Sequence, residues 1–441
     1  MSESIPLVGH PGEGIPLSPK KILKEKIDLL KKGKKVYSPD VLVVGSGPIG
    51  AVFARKLVDG KKKVLMIDMG EQASKRVGDH RKNSVAVQKD ISLFTNKCCH
   101  THYKGHQERS DLFNQDEWED LYKEAEGLFS TNSTTFDNSV RQALVKKVLM
   151  EAFKAGGTAD REIKSMPLAC KHGMTKHHIE WSCTATILGD ELNKPGMTDK
   201  DTLDDRSFTV LPQTQLDVML INDDGKGGAG AVDGAIIVDL QTNEPYLVEA
   251  KRYVICGGTV LTAGIVAKSL FKSELEVEEK GHVGGKYLPA LGRYLTEQTM
   301  TFCQIVLKKK HVERVRNNPG DIAGGNKQIK EAVENHIQYH PDDPLPFPFD
   351  DLDPNVYTPF SEKYPWHTQI HRDAFGYGEV PADIDQRLIV DLRFFGYIDP
   401  NEYNRITFSP TRRDGFGMLQ PTFWFSLGEK DVDRSNRMMR E

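Results

Sequence analysis

Three short apolar runs interrupt a chain that elsewhere mixes polar and apolar residues: Val41 to Val44, Val64 to Ile67, and "RYVICGG" at 252 to 258. None of them alternates, which is the pattern of strands buried on both faces of a parallel sheet. The first run is followed by Gly45, Gly47 and Gly50, which open a helix from Ala51 to Val58. Residues 116 to 155 are helical in pattern with charged outer positions. From Val210 to Val248 the pattern alternates, broken by turns such as "DDGKGGAG", and predicts meandering strands. "RLIVDLRFFGYI" at 387 to 398 is again strand-like. Near the start, "PKKILKEKIDLLKKGKK" (19 to 35) places Ile22, Leu23, Ile27 and Leu30 at helical spacing among lysines. It reads as a solvated helix resting on the first domain rather than a membrane-surface helix. Residues 1 to 18 read as a loose Gly/Pro-rich arm, and "DPLPFPFDDLDPNVYTPF" (343 to 360) as a surface loop too proline-rich for regular structure.

Composition narrows the class. The 441 residues suit two or three domains, and 38% hydrophobic content is enough for a real core. Charged residues make up 28% with a net charge of −4, which argues against nucleic acid as a partner. No apolar run approaches the ~18 residues of a membrane span. No secretory signal is visible at the N-terminus, so the expectation is a soluble protein of unassigned compartment. The cysteines (Cys98, Cys99, Cys170, Cys183, Cys256, Cys303) are few and unevenly spaced, so reduced thiols are expected rather than a disulfide framework.

The sharpest chemistry in the first half is "GSGPIG", residues 45 to 50. It has a strand before it, a helix after it and an acid, Asp68, at the end of the next strand. Gly45 permits a tight turn, Gly47 lets backbone approach a pyrophosphate on the helix N-terminus, and Gly50 lets helix and strand pack closely. Asp68 stands where a carboxylate accepts hydrogen bonds from ribose hydroxyls. Dinucleotide binding is expected, through Gly45, Ser46, Gly47, Pro48, Gly50 and Asp68. The turn alone does not separate NAD from FAD; its position ahead of a long, interrupted chain with meandering strands suits a flavoprotein.

In the second half, "PWHTQIHRDAFGYG" (365 to 378) packs hydrogen-bonding groups beside aromatic faces. A sugar, with a rim of hydroxyls and apolar ring faces, needs both. Together with "DVLVVGSGPIGAVFARKL", "LGRYLTEQTMTFCQ" and "RLIVDLRFFG", this stretch resembles the pyranose 2-oxidase family of glucose-methanol-choline (GMC) flavin oxidoreductases, in order from about residue 38 to 428. The resemblance implies an α/β fold: a Rossmann-type FAD-binding domain interleaved with an α+β substrate domain on a mostly antiparallel sheet. Residues 37–97 and 208–300 fall to the FAD domain, and 98–207 and 301–441 to the substrate domain with its mobile substrate loop at 365–378; residues 1–36 are the arm and basic helix. It implies FAD as cofactor and oxidation of an aldopyranose such as D-glucose at C2 to a 2-keto sugar. The acceptor is O2, giving hydrogen peroxide, or a quinone. Gln369 and Asp373 fall on the family's sugar-binding glutamine and aspartate, Arg393 on an arginine facing the sugar, and His371 lies between them. The residue-level alternative for Asp373 and Arg393 is a buried ion pair between loop and sheet.

The same resemblance implies two departures. After "DISLFTN" (90 to 96) the family carries a flavin-linking histidine motif and an arm used in its homotetramer; here "KCCHTHYKGHQ" (97 to 107) stands instead. After about residue 428 the family carries a catalytic histidine and asparagine. No catalytic residue is therefore assigned, and the expectation is a truncated or mis-spliced member of the family. An inactive FAD-binding remnant and another sugar or alcohol dehydrogenase of the same superfamily are the alternatives. At the junction, Cys98, Cys99, His100, His102 and His106 match no standard zinc spacing, so no metal is assigned. Thr101-His102-Tyr103 imitates the flavin-linking Thr-His-Trp, which makes His102 the one candidate for a covalent link.

Overall fold

The computed structural model describes residues 19–72, 74, 76–80, 83–84, 110–158, 160–175, 178–192, 197–198, 206–223, 229–270, 288–371 and 383–441. The junction at 97–107, with His102, and the sugar-loop residue Asp373 lie outside them.

The continuous apolar runs do form a parallel sheet. Strands β2 (Val41–Val44), β3 (Val64–Ile67), β8 (Phe208–Leu211) and β12 (Arg252–Ile255) pair in the order β12-β2-β3-β8, all parallel. All four residues of β2 and of β3 are buried, as unalternating strands require. Helix α2 (Pro48–Asp59) and the bent helix Thr184–Leu192 cover one face through Ala51, Ala54, Ile187 and Leu188. The other face packs on a second sheet, in which β1 (Val36–Tyr37), β9 (Thr214–Asp223), β10 (Ala229–Asp239) and β11 (Pro245–Val248) run in the order β1-β11-β10-β9. Residues 210–248 thus meander as their alternation predicts.

Helix α1 (Pro19–Lys32) rests on this first unit. Leu30 is buried, and Lys31 pairs with Glu249 at 2.7 Å, Lys35 with Glu244 at 3.1 Å. A hairpin of β17 (Arg405–Arg413) and β18 (Leu419–Trp424) packs Ile406, Phe408 and Leu419 against Ala267 of the helix Gly258–Leu270.

The remaining large sheet is antiparallel. Its five strands, β13 (Gln298–Val306), β16 (Ile389–Tyr397), β15 (Trp366–His371), β14 (Val356–Thr358) and β5 (Lys164–Ser165), lie in that spatial order. One face, with Val356, Ile370 and Val390, packs against Val145, Leu149 and Phe153 of the helix Val140–Ala155. This gives the expected fold class: a Rossmann-type α/β unit and an α+β unit built on an antiparallel sheet.

Two expectations about loops are corrected. Residues 343–360 are not a surface loop: Leu345 and Phe347 are buried in the core beside Val140, Val312 and Val333, and 356–358 form β14. Asp351 accepts from the backbone N–H groups of Val140 and Arg141 at 2.9 and 3.0 Å, so its carboxylate caps the helix Val140–Ala155. The Arg141 side chain pairs with it at 3.2 Å and with Asp353 at 2.9 Å. Proline prevents a ladder but does not keep the apolar residues between prolines out of a core. The stretch 365–378 is likewise not all loop: residues 366–371 form β15, an interior strand of the sheet.

Candidate functional site

The glycine turn is built as its spacing demands. Gly45 has φ +98°, and a Cβ there would lie 2.3 Å from the Cys256 carbonyl oxygen, so no other residue fits. A Cβ on Gly50 would lie 1.9 Å from the Gly45 carbonyl oxygen. Gly47 differs: its φ of −61° suits any residue, and a Cβ there would meet no atom within 4 Å. Gly45 and Gly50 serve packing within the protein, while Gly47 keeps a space open. Pro48 follows at the first turn of α2, where its missing N–H costs nothing.

The acid is held against the turn. Asp68 accepts from the Ser46 N–H at 2.6 Å and the Ser46 hydroxyl at 2.8 Å with one oxygen, and from the Gly70 N–H at 2.7 Å with the other. The Thr184 hydroxyl donates to the Ser46 carbonyl from the far side, fixing the turn between two elements. Thr184 carries no signal in the sequence, because its role depends on a contact across many intervening residues. The turn opens onto a cleft of about 970 Å³, lined among others by Gly47, Asp68, Cys256, Leu261 and Leu288. That volume is at the upper end of small-molecule sites, as an extended dinucleotide requires. Burial pushes the Cys256 thiol pKa up.

The second element is the face of the antiparallel sheet turned away from the helix Val140–Ala155. Strand alternation sends Trp366, Thr368 and Ile370 to one face and His367, Gln369 and His371 to the other. Register pairs Gln369 with Arg393 and with Tyr357, and His371 with Asp391. On the other side of β16, Arg393 pairs with Phe302 and Asp391 with Gln304. A polar row therefore crosses the sheet, with Gln369 at 3%, His371 at 2%, Asp391 at 4% and Arg393 at 1% exposure. Beside them His367 stacks on Phe395, ring centroids 5.0 Å apart at 13°. The structure brings Gln369, His371 and Arg393 together as neighbours, and adds Asp391 and Phe302, which single-residue reading did not find.

A dinucleotide cleft with this turn, joined through Leu288–Gly292 and β13 to an antiparallel sheet, is the architecture of a dinucleotide-dependent oxidoreductase. No protein-family model matches the chain. It is 37% identical to a pyranose 2-oxidase of Emericella nidulans, over 93% of this chain and 77% of the relative. It is 31% identical to one of Lyophyllum shimeji, over 91% of this chain and 77% of the relative. The chain belongs to the pyranose 2-oxidase family. In fold it is similar to a formate oxidase of Aspergillus oryzae, with a TM-score of 0.52 at 11% identity, over 92% of this chain and 80% of that one. FAD is the cofactor of this class, and the residues present fit it: the open space at Gly47, the turn at the start of α2 and the length of the cleft all match a pyrophosphate-linked ligand.

Proposed function

We propose that this protein oxidises an aldopyranose such as D-glucose at C2, giving a 2-keto sugar, with O2 as acceptor and hydrogen peroxide as second product. Gly45, Ser46, Gly47, Pro48, Gly50 and Asp68 hold FAD, which when bound accepts the hydride from C2 and passes the electrons on. Ser46 keeps the Asp68 carboxylate at the mouth of the cleft, where its remaining lone pairs receive ribose hydroxyls. Gln369, Asp373, Arg393 and His371 bind the sugar. Arg393 supplies donors only, so it takes a sugar oxygen as acceptor, while Gln369 both donates and accepts and so fixes a hydroxyl in either role.

The observation that carries this reading is the row of Gln369, His371 and Arg393 side by side on one sheet face of a chain 37% identical to a pyranose 2-oxidase. Such groups orient a hydroxyl-rich ligand when water is excluded. Product identity is the test. Turnover of D-glucose should give the 2-keto sugar; a lactone from C1 or a 3-keto sugar would overturn the assignment.

A second reading, a protein that holds FAD without turning sugar over, has one observation in its favour. The alignment with the Emericella relative spans 492 positions, more than the 441 residues of this chain, so the relative carries sequence without counterpart here. Anaerobic addition of D-glucose separates the two, because only a turnover-competent protein bleaches its flavin.

A further inference from the structure

The bent helix Thr184–Leu192 grips the dinucleotide turn and the helix behind it at two points. At its start the Thr184 hydroxyl donates to the Ser46 carbonyl. Near its bend, where Gly189 takes φ +71°, the Leu188 carbonyl accepts from Arg55 of α2 at 3.0 Å. Between the two points Ala51 and Ala54 of α2 pack with Ile187 and Leu188. Ser46 spends both its donors on Asp68, so the carboxylate follows the position of Ser46, and Ser46 follows Thr184. Thr184 is itself held from behind. Gly78, at φ +76°, lies so close that a Cβ there would come within 2.6 Å of the Thr184 methyl. The Ala185 N–H donates to the Gly78 carbonyl at 3.1 Å. Arg76 donates to the Ala185 carbonyl at 3.1 Å and pairs with Asp190 at 2.9 Å. A cavity of about 140 Å³, lined among others by Ser46, Asp68, Gly78 and Thr184, lies where these segments meet.

We propose that Thr184 is a positioning residue for FAD: through the Ser46 carbonyl it holds the turn, and with it the Asp68 carboxylate, in the arrangement that receives the cofactor. This rests on the placement of FAD at the turn, and it gives part of that site to a residue far from the glycines in sequence. A threonine near a helix start ordinarily turns its oxygen onto the helix's own N–H groups. Thr184 instead donates outward to another element, so its two branches have separate tasks: the methyl packs on Gly78 and the hydroxyl holds Ser46. Without the hydroxyl the turn keeps its binding arrangement only part of the time, and the apparent affinity for FAD falls by that fraction. The worth of one neutral hydrogen bond sets the loss at about 2- to 12-fold.

The test is titration of the flavin-free full chain with FAD, followed by flavin fluorescence, with thermal melting to show that each variant folds. Thr184→Val removes the hydroxyl and should raise the Kd for FAD about 2- to 12-fold. Thr184→Ser removes the methyl and keeps the hydroxyl, so it should keep the parent's Kd. A Thr184→Val chain with the parent's Kd, or a Thr184→Ser chain weakened as much as Thr184→Val, would overturn the inference and leave FAD at the turn. A Thr184→Val chain that does not fold would make the residue structural and overturn it as well. Gly47→Val, titrated alongside, separates the two claims: undiminished FAD binding there would remove the cofactor from the turn and this inference with it.

Discussion

Gly47→Val separates folding from cofactor binding more cleanly than any other change in the turn. The backbone at Gly47, φ −61° and ψ 177°, is open to any residue, and a Cβ there meets nothing within 4 Å. Replacing glycine at a compatible position stiffens the unfolded chain, so the cofactor-free variant should be as stable as the parent or up to about 1 kcal/mol more stable. Bound FAD must bring its pyrophosphate into that same space. Losing two charge-assisted hydrogen bonds there, at about 1.5–3 kcal/mol each, weakens binding by about 10²- to 10⁴-fold. Gly50→Ala is the contrasting control, because its Cβ would lie 1.9 Å from the Gly45 carbonyl oxygen and the turn itself must shift. The assay is the flavin-to-protein absorbance ratio together with thermal melting, with and without added FAD. Gly47→Val should melt like cofactor-free parent and gain nothing from FAD. A folded Gly47→Val protein carrying the parent's flavin would refute the placement of the pyrophosphate.

Asp373→Ala should raise the sugar KM about 10- to 150-fold, the loss of one charge-assisted hydrogen bond, and Gln369→Ala about 2- to 12-fold, the loss of a neutral one, while flavin absorbance stays unchanged; loss of flavin instead would make these residues structural. Phe347→Ala should cost about 3–5 kcal/mol in denaturant unfolding, because the ring is fully buried within the 343–360 segment; a change under 1 kcal/mol would restore the surface-loop expectation. The Arg387 guanidinium, 2.6 Å from Asp343, and then the Leu345 N–H and His336 hold that carboxyl well below the usual carboxylate range. A carboxyl depressed in the folded state contributes stability above its unfolded value of about 3.9, lost as the pH falls from there towards the folded value. Arg387→Met should therefore lower stability at neutral pH and flatten its fall below about pH 4, measured by urea midpoints; an unchanged acid slope would remove Asp343 from the account.

The α/β unit was legible because its strands are buried on both faces. Val41–Val44 and Val64–Ile67 have no polar position to confuse the pattern, and Gly45 and Gly50 answer to local steric demands while Gly47 answers to none. Asp68 was legible from spacing alone. The sheet of the second unit was harder to read. β15 hides three polar residues on a face that is buried, so "WHTQIH" reads as a loop until its neighbours Arg393 and Asp391 are placed beside it. The 343–360 segment looks like a loop because proline dominates it, yet its phenylalanine, leucine and aspartate find partners on the helix Val140–Ala155 and its neighbours. Phe302 stands beside Arg393 only through strand register, a relation between segments far apart in sequence.

The most direct test of the central claim is to measure bound flavin, its reduction and peroxide formation on one preparation of the 441-residue chain. The account predicts one FAD per chain, bleached by D-glucose without oxygen and re-oxidised in air with release of hydrogen peroxide. A chain that binds FAD but keeps it oxidised under excess aldopyranose, or that binds no flavin at all, would contradict it.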